Sequence, residues 1–166
     1  MKNYIARLLF ALIIIGTIAC ETEEDTPSPE TETKVEELVF GIYYGRCRGD
    51  CTHLFKINAA GLFPDTISGR LENGKWDNFD NTTPLSTEDY ALASVLSSSV
   101  PEVLLNSPAG KFGNPNAADQ GTLFVVAVQG GNQLGPWKID PFETALNEDI
   151  LPFQRELLRV INALRN

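Results

Sequence analysis

The first 34 of the 166 residues carry two patterns that cannot build a core, so whatever folds must be made from Val35 onward. Lys2 and Arg7 give a positive start. Leu8 to Ile15 follows as an unbroken apolar run, and Gly16 loosens its end. A charged start, a short apolar run and a small residue are the order of a secretory signal. The apolar stretch from Leu8 to Ala19 falls short of the ~20 residues that cross a bilayer as a helix. Residues 1–19 are therefore expected to act as a cleaved leader. From Glu21 to Lys34 the chain is rich in Glu, Thr and Pro, with almost no large apolar side chain. Such a segment gains too little from burial to offset the entropy of ordering.

Thr17-Ile18-Ala19-Cys20 resembles the lipobox of bacterial lipoproteins, with Thr17 where leucine is commoner. The resemblance implies cleavage before Cys20, acylation of its sulfur and of the new amine, and residence at a membrane through the lipid alone. Two or more acyl chains, at ~0.8 kcal/mol per buried CH₂, anchor a protein stably. The acidic run Glu21-Thr22-Glu23-Glu24-Asp25 resembles the export signal of Bacteroidota-type surface lipoproteins, which implies the outer membrane and its outer face. The same run also reads as a plain solvated tether. The expected organisation is a signal peptide over 1–19, a lipidated acidic tether over 20–34, and one globular domain over 35–166.

From Val35 the chain holds 10 basic and 16 acidic residues. That balance argues against nucleic acid, whose phosphates are met by clustered Lys and Arg. About 130 residues suit a single domain with a useful core. Of the three cysteines, Cys20 is assigned to lipid and Cys47 and Cys51 remain. An even remainder in an exported chain reads as a disulfide. Two other readings use the same residues. With His53, the pair supplies three zinc-type donors, one short of a structural site. As a redox pair, its C-x-x-x-C spacing departs from the C-x-x-C of thiol oxidoreductases.

The pattern beyond predicts an α+β domain: a mainly antiparallel sheet of about four to five strands against two to three helices, closed by a C-terminal amphipathic helix. Leu38–Tyr44 and Leu54–Asn58 read as strands joined by the turn Gly45–Cys51. Thr66–Glu72 and Lys75–Phe79 read as a second hairpin about Asn73-Gly74, a pair suited to a type I′ turn. Ser86-Thr87-Glu88-Asp89 has the form of a capping box. The helix behind it should run to about Ser98 and bury Ala91, Leu92, Val95 and Leu96. Pro101 starts a short helix to Asn106, and Ser107–Gln120 reads as a long loop. Leu123–Val128 is a central strand, Gly130-Gly131 turns the chain, and Pro136–Ile139 returns. From Pro152, the spacing of Phe153, Leu157, Val160, Ile161 and Leu164 marks one apolar helix face.

The segment Phe40-Gly41-x-x-x-Gly45-x-Cys47-x-Gly49-x-Cys51 resembles a family of small bacterial proteins, often lipoproteins, without an established activity. The family's later signature is Cys-Pro-Asp-Cys-Ala-Asp-x-Gly. Here Asn114 and Ala117 stand at its cysteine positions, while Pro115, Ala118, Asp119 and Gly121 match. The resemblance spans most of Leu38 to Leu164. It implies a fold, and the loss of both cysteines of one pair fits independent disulfides better than a four-cysteine metal site.

No Ser–His–Asp or Cys–His set is readable, so the chain leans away from catalysis; no cofactor and no metal site are expected. The leading expectation is a membrane-anchored envelope lipoprotein whose domain binds a protein or glycan partner or serves the envelope structurally. Candidate binding residues are Arg48 and Asp50 on the turn, Trp76 and Trp137 as an aromatic platform, and Asp119, which also suits a turn brace. Two alternatives stay open: a thiol- or metal-dependent enzyme using Cys47, Cys51 and His53, and an adhesin presenting Arg48-Gly49-Asp50.

Overall fold

A computed structural model describes residues 34–66, 76–115, 117 and 120–166, all within the compact unit Glu32–Asn166. The fold is α+β: a six-stranded mixed sheet with three helices, the last at the C-terminus. The strands are β1 (Glu37–Tyr43), β2 (Thr52–Asn58), β3 (Gly61–Pro64), β4 (Gly110–Phe112), β5 (Thr122–Gln129) and β6 (Asn132–Ile139). The helices are α1 (Thr87–Ser99), α2 (Glu102–Leu105) and α3 (Leu151–Leu164). The sheet order is β3-β2-β1-β5-β6-β4. Every pairing is antiparallel except β4 with β6.

The centre of the sheet is apolar on both faces, which is why β1 and β5 read as continuous runs rather than as alternation. Leu38, Phe40 and Ile42 of β1, with Leu123, Val125 and Ala127 of β5, enter the larger core. Val39, Phe124 and Val126 turn to the other face, where Leu54 joins them and Tyr43, Trp76 and Phe79 pack against the group. Gly41 sits between these strands in register with Leu54 and Phe124. A Cβ there would stand 2.1 Å from the His53 carbonyl oxygen and 2.7 Å from the Leu54 Cα. The β1–β2 pair closes only because that position has no side chain.

The helices cover the larger core. Helix α3 buries Phe153, Gln154, Leu157, Val160 and Ile161, the expected stripe with one polar member. Each large apolar side chain on that stripe contributes about 1.5–3 kcal/mol by leaving water. Gln154 is fully buried, and its Nε2 donates to the Pro141 carbonyl at 2.6 Å. At the start of α1 the Asp89 amide donates to the Ser86 hydroxyl at 3.1 Å, and that hydroxyl donates to the Asp89 carboxylate at 2.8 Å.

The buried face of α1 differs from the expected one. Ala93 and Leu96 are buried, whereas Ala91 is exposed and Val95 is 41% exposed. Alanine, valine and serine alternate around this helix without a dominant stripe, and it is Ala93 rather than the larger Val95 that lies on the buried side. Two strands also go beyond the sequence pattern. Strand β3 extends the first hairpin, and β4 arises inside the segment expected as a loop. Strand β6 is longer than expected, running from Asn132 rather than Pro136. The second hairpin lies mostly outside the described residues. Its flanks meet in an isolated antiparallel bridge between Asp65 and Phe79.

Candidate functional site

Tyr43, Thr52, Thr122, Ile139 and Phe112 are brought to one end of the sheet by register. Two candidate regions lie at that end. The first is the turn between β1 and β2. Cys47 and Cys51 are joined by a disulfide with their Cα atoms 5.6 Å apart. The Tyr44 amide donates to the Cys51 carbonyl at 2.9 Å, which fixes the base of the loop. Cys51 is buried, while Arg48, Gly49 and Asp50 are exposed at the tip.

His53 Nδ1 lies 3.7 Å from an Asp50 carboxylate oxygen. Partial burial lowers the His53 pKa, the positive charge of Arg165 lowers it further, and Asp50 acts in the opposite sense. Asp65 completes this neighbourhood. Its carboxylate accepts from the Leu54 amide at 2.9 Å, and its own amide donates to the Leu54 carbonyl at 2.9 Å. Burial pushes its pKa up to about 6; the Leu54 amide holds it down and Asp50 adds to the rise. Arg165 from the end of α3 stacks 6.0 Å from the Tyr44 ring and donates to its hydroxyl at 3.3 Å.

This arrangement limits the chemistry. Two sulfurs bonded to each other supply neither a thiolate nucleophile nor a metal ligand. Among the described residues, no group of three or more His, Cys, Asp or Glu side chains is placed to hold a metal ion.

The two tryptophans do not form a platform. Trp137 is fully buried in the larger core, and its indole N–H donates to the Ser107 carbonyl at 3.3 Å. Trp76 is half-buried against Phe124 on the opposite face of the sheet, at a ring distance of 6.3 Å. The physical reason is the pleat: Trp137 points with Ile139 into the helix-covered side, leaving no exposed edge for a ligand. Asp119 and Cys20 lie outside the described residues.

The second region was not singled out by the sequence. A cleft of about 290 Å³ is lined by Tyr43, Lys111, Asn114, Pro115, Ala117, Thr122 and Lys138. Lys111 and Lys138 are register partners on the parallel β4–β6 pair. Neither has an ion-pair partner among the described residues. Thr122 is 1% exposed, and its hydroxyl has no hydrogen-bond partner among the described residues.

Asp140 lies behind the cleft and anchors Asn114, one of its lining residues. It is 4% exposed and accepts from the Asn114 amide and from the Phe142 amide, both at 2.8 Å. Gly113 makes that approach possible. It has φ +74°, and a Cβ there would stand 2.6 Å from the Asp140 Cβ. The cleft loop is thus pinned to the end of β6 by one buried carboxylate.

No family model, curated protein or solved structure matches this chain. The functional reading therefore rests on the geometry and on the sequence patterns. The signal for the cleft was faint. Lys111 and Lys138 are 27 positions apart, and only the short β4, which carries no hydrophobic period, brings them together.

Proposed function

We propose that this chain is a lipid-anchored lipoprotein of the bacterial cell envelope, whose domain is a non-catalytic binding module. The observation that carries the reading is the Cys47–Cys51 bridge. Disulfides persist in oxidising compartments beyond the cytoplasm, which agrees with a leader over 1–19 and an acyl acceptor at Cys20. The bridge also occupies the sulfurs that a thiol or metal enzyme would need. The acidic run after Cys20 supports an outer-membrane location, and the membrane is met through acyl chains alone.

The test is the mass of the N-terminal peptide from the membrane fraction, with alkylation of the intact protein before and after reduction. Cleavage before Cys20, an acylated Cys20, and thiols at 47 and 51 that alkylate only after reduction are the expected results. An unmodified N-terminus, or freely alkylating thiols, would overturn the reading.

A second reading has one observation in its favour. Arg48-Gly49-Asp50 is exposed on a covalently closed loop, the presentation an adhesion motif requires. Asp50→Glu should then abolish attachment of the intact cells to host cells. Unchanged attachment ends that reading.

A further inference from the structure

We propose that the cleft between Lys111 and Lys138 is a binding site for a small organic phosphate monoester. The inference deepens the binding-module reading and rests on it. Three independent observations converge. The two lysines are register partners on neighbouring strands and line one cleft, with no ion-pair partner among the described residues. Two like charges placed side by side repel each other, and an anion seated between them would relieve that repulsion. This pair occurs in a domain with more acidic than basic residues, where four other described cations are engaged within the fold. Arg155 pairs with Glu143, Arg159 with Glu156, Arg165 stacks on Tyr44, and Lys56 lies over Phe63 and Phe79.

The second observation is Thr122. A buried hydroxyl without a partner costs about 1–3 kcal/mol, and this one belongs to a residue that lines the cleft. It can donate to an anionic oxygen there. The third is the pinned wall. Asp140 holds the Asn114 backbone in place through a buried, doubly bonded carboxylate, so the site is preformed.

The donor set selects the anion. Planar carboxylates are matched by the fork of an arginine, and among the described residues no arginine lines this cleft. Two lysines act as compact point charges around a tetrahedral group of charge about −2, which a phosphate monoester supplies at neutral pH. The cleft is larger than a bare phosphoryl group, and Tyr43 and Pro115 offer apolar contact to a small body such as a sugar ring.

The experiment is calorimetric titration of the full-length protein in detergent with glucose 6-phosphate, glucose, citrate and inorganic phosphate, with released phosphate assayed in parallel. The expected result is that glucose 6-phosphate binds, inorganic phosphate competes with it, and glucose and citrate bind far more weakly. Lys111→Ala and Lys138→Ala should each weaken binding about tenfold, the loss of one charge-assisted contact. Thr122→Val guards against a folding artefact. It keeps the volume and removes the unpartnered hydroxyl, so it should leave stability equal or raised while weakening the ligand several-fold.

Absence of binding at about 10 mM glucose 6-phosphate, weaker than a specific small-molecule site, would overturn the proposal. So would affinity unchanged by both lysine variants. Equal binding of glucose or citrate removes the phosphoryl class and leaves the binding-module reading intact. Hydrolysis of the ester abolished by the lysine variants does the reverse: it overturns the non-catalytic reading and keeps the anion site.

Discussion

Around the disulfide-closed turn, most of the charge and polarity is answered from within the fold. Asp50 faces His53, Asp65 ties both backbone groups of Leu54, and Arg165 lies on Tyr44. Across β1, at the same end of the sheet, the cleft does the opposite. Two lysines and a buried hydroxyl stand without partners among the described residues, although a buried carboxylate has been used to fix their surroundings. The contrast separates two uses of polar residues. In the turn they hold structure, since a covalent bridge and paired groups leave little interaction energy for a ligand. In the cleft they are held in readiness, because an unpaired donor costs the fold stability and gains it back only on binding.

The comparison can be broken at β1, which both regions share. Gly41→Ala is expected to have the largest effect, because its Cβ would meet backbone of β2 rather than a movable side chain. Overpacking of this kind costs about 1–3 kcal/mol or more. Urea denaturation should show the loss, and hydrogen exchange should accelerate first along β2 and the turn, with the β4–β6 edge following. An exchange pattern accelerated uniformly would mean the two regions are one cooperative unit.

Removing the bridge with Cys47→Ser and Cys51→Ser together sharpens the distinction. Closing so short a loop stabilises by about 2 kcal/mol in the chain-entropy model. The denaturation midpoint should fall accordingly, while glucose 6-phosphate affinity stays within twofold. A matching loss of affinity would show that the turn supports the cleft through Tyr43 and Tyr44.

Much of the fold was legible because burial on this sheet is strongly patterned. Phe153, Leu157, Val160 and Ile161 mark α3, the apolar runs mark β1 and β5, and Cys47 and Cys51 are close enough in sequence to meet in a turn. The buried face of α1 was not legible, because Ala91 and Val95 are no less apolar than the buried Ala93. Trp137 looked like a binding residue because an indole suits both roles; only the pleat direction, set by register with Val125, decides for the core. The cleft stayed hidden for a topological reason. Strand β4 has three residues, and its partner β6 follows it only after the whole of β5.

Asp140→Asn tests whether the cleft wall is built or incidental. One side-chain oxygen must then serve two backbone amides, so both lose a charged acceptor and one loses its acceptor altogether. The expected cost is about 1–3 kcal/mol, concentrated in exchange of the Asn114 and Phe142 amides. Ligand affinity should drop with it, and addition of glucose 6-phosphate should restore part of the protection. Normal exchange at both amides would show that the loop needs no anchor.

The smallest effect is expected from Asp65, where the sign of the pH dependence is diagnostic. Its carboxyl is raised from 3.8 to about 6, chiefly by burial. Between those values the folded state binds more protons than the unfolded one, so this group's contribution favours folding at low pH and is lost as pH rises through 6. His53 acts oppositely in a neighbouring window. Its lowered pKa means the unfolded state binds more protons, so its contribution grows as pH rises toward the ordinary histidine value. The two partly cancel in the parent protein. Asp65→Asn keeps an acceptor for the Leu54 amide and removes the carboxylate. The difference in thermal midpoint between variant and parent should therefore favour the variant above pH 6 and shrink toward zero or reverse near pH 4. Asp65 is only partly buried, so screening keeps the amplitude small. A difference independent of pH would mean that Asp65 is no more buried in solution than an ordinary surface acid, and that the turn's polar groups are less fully engaged than their geometry implies.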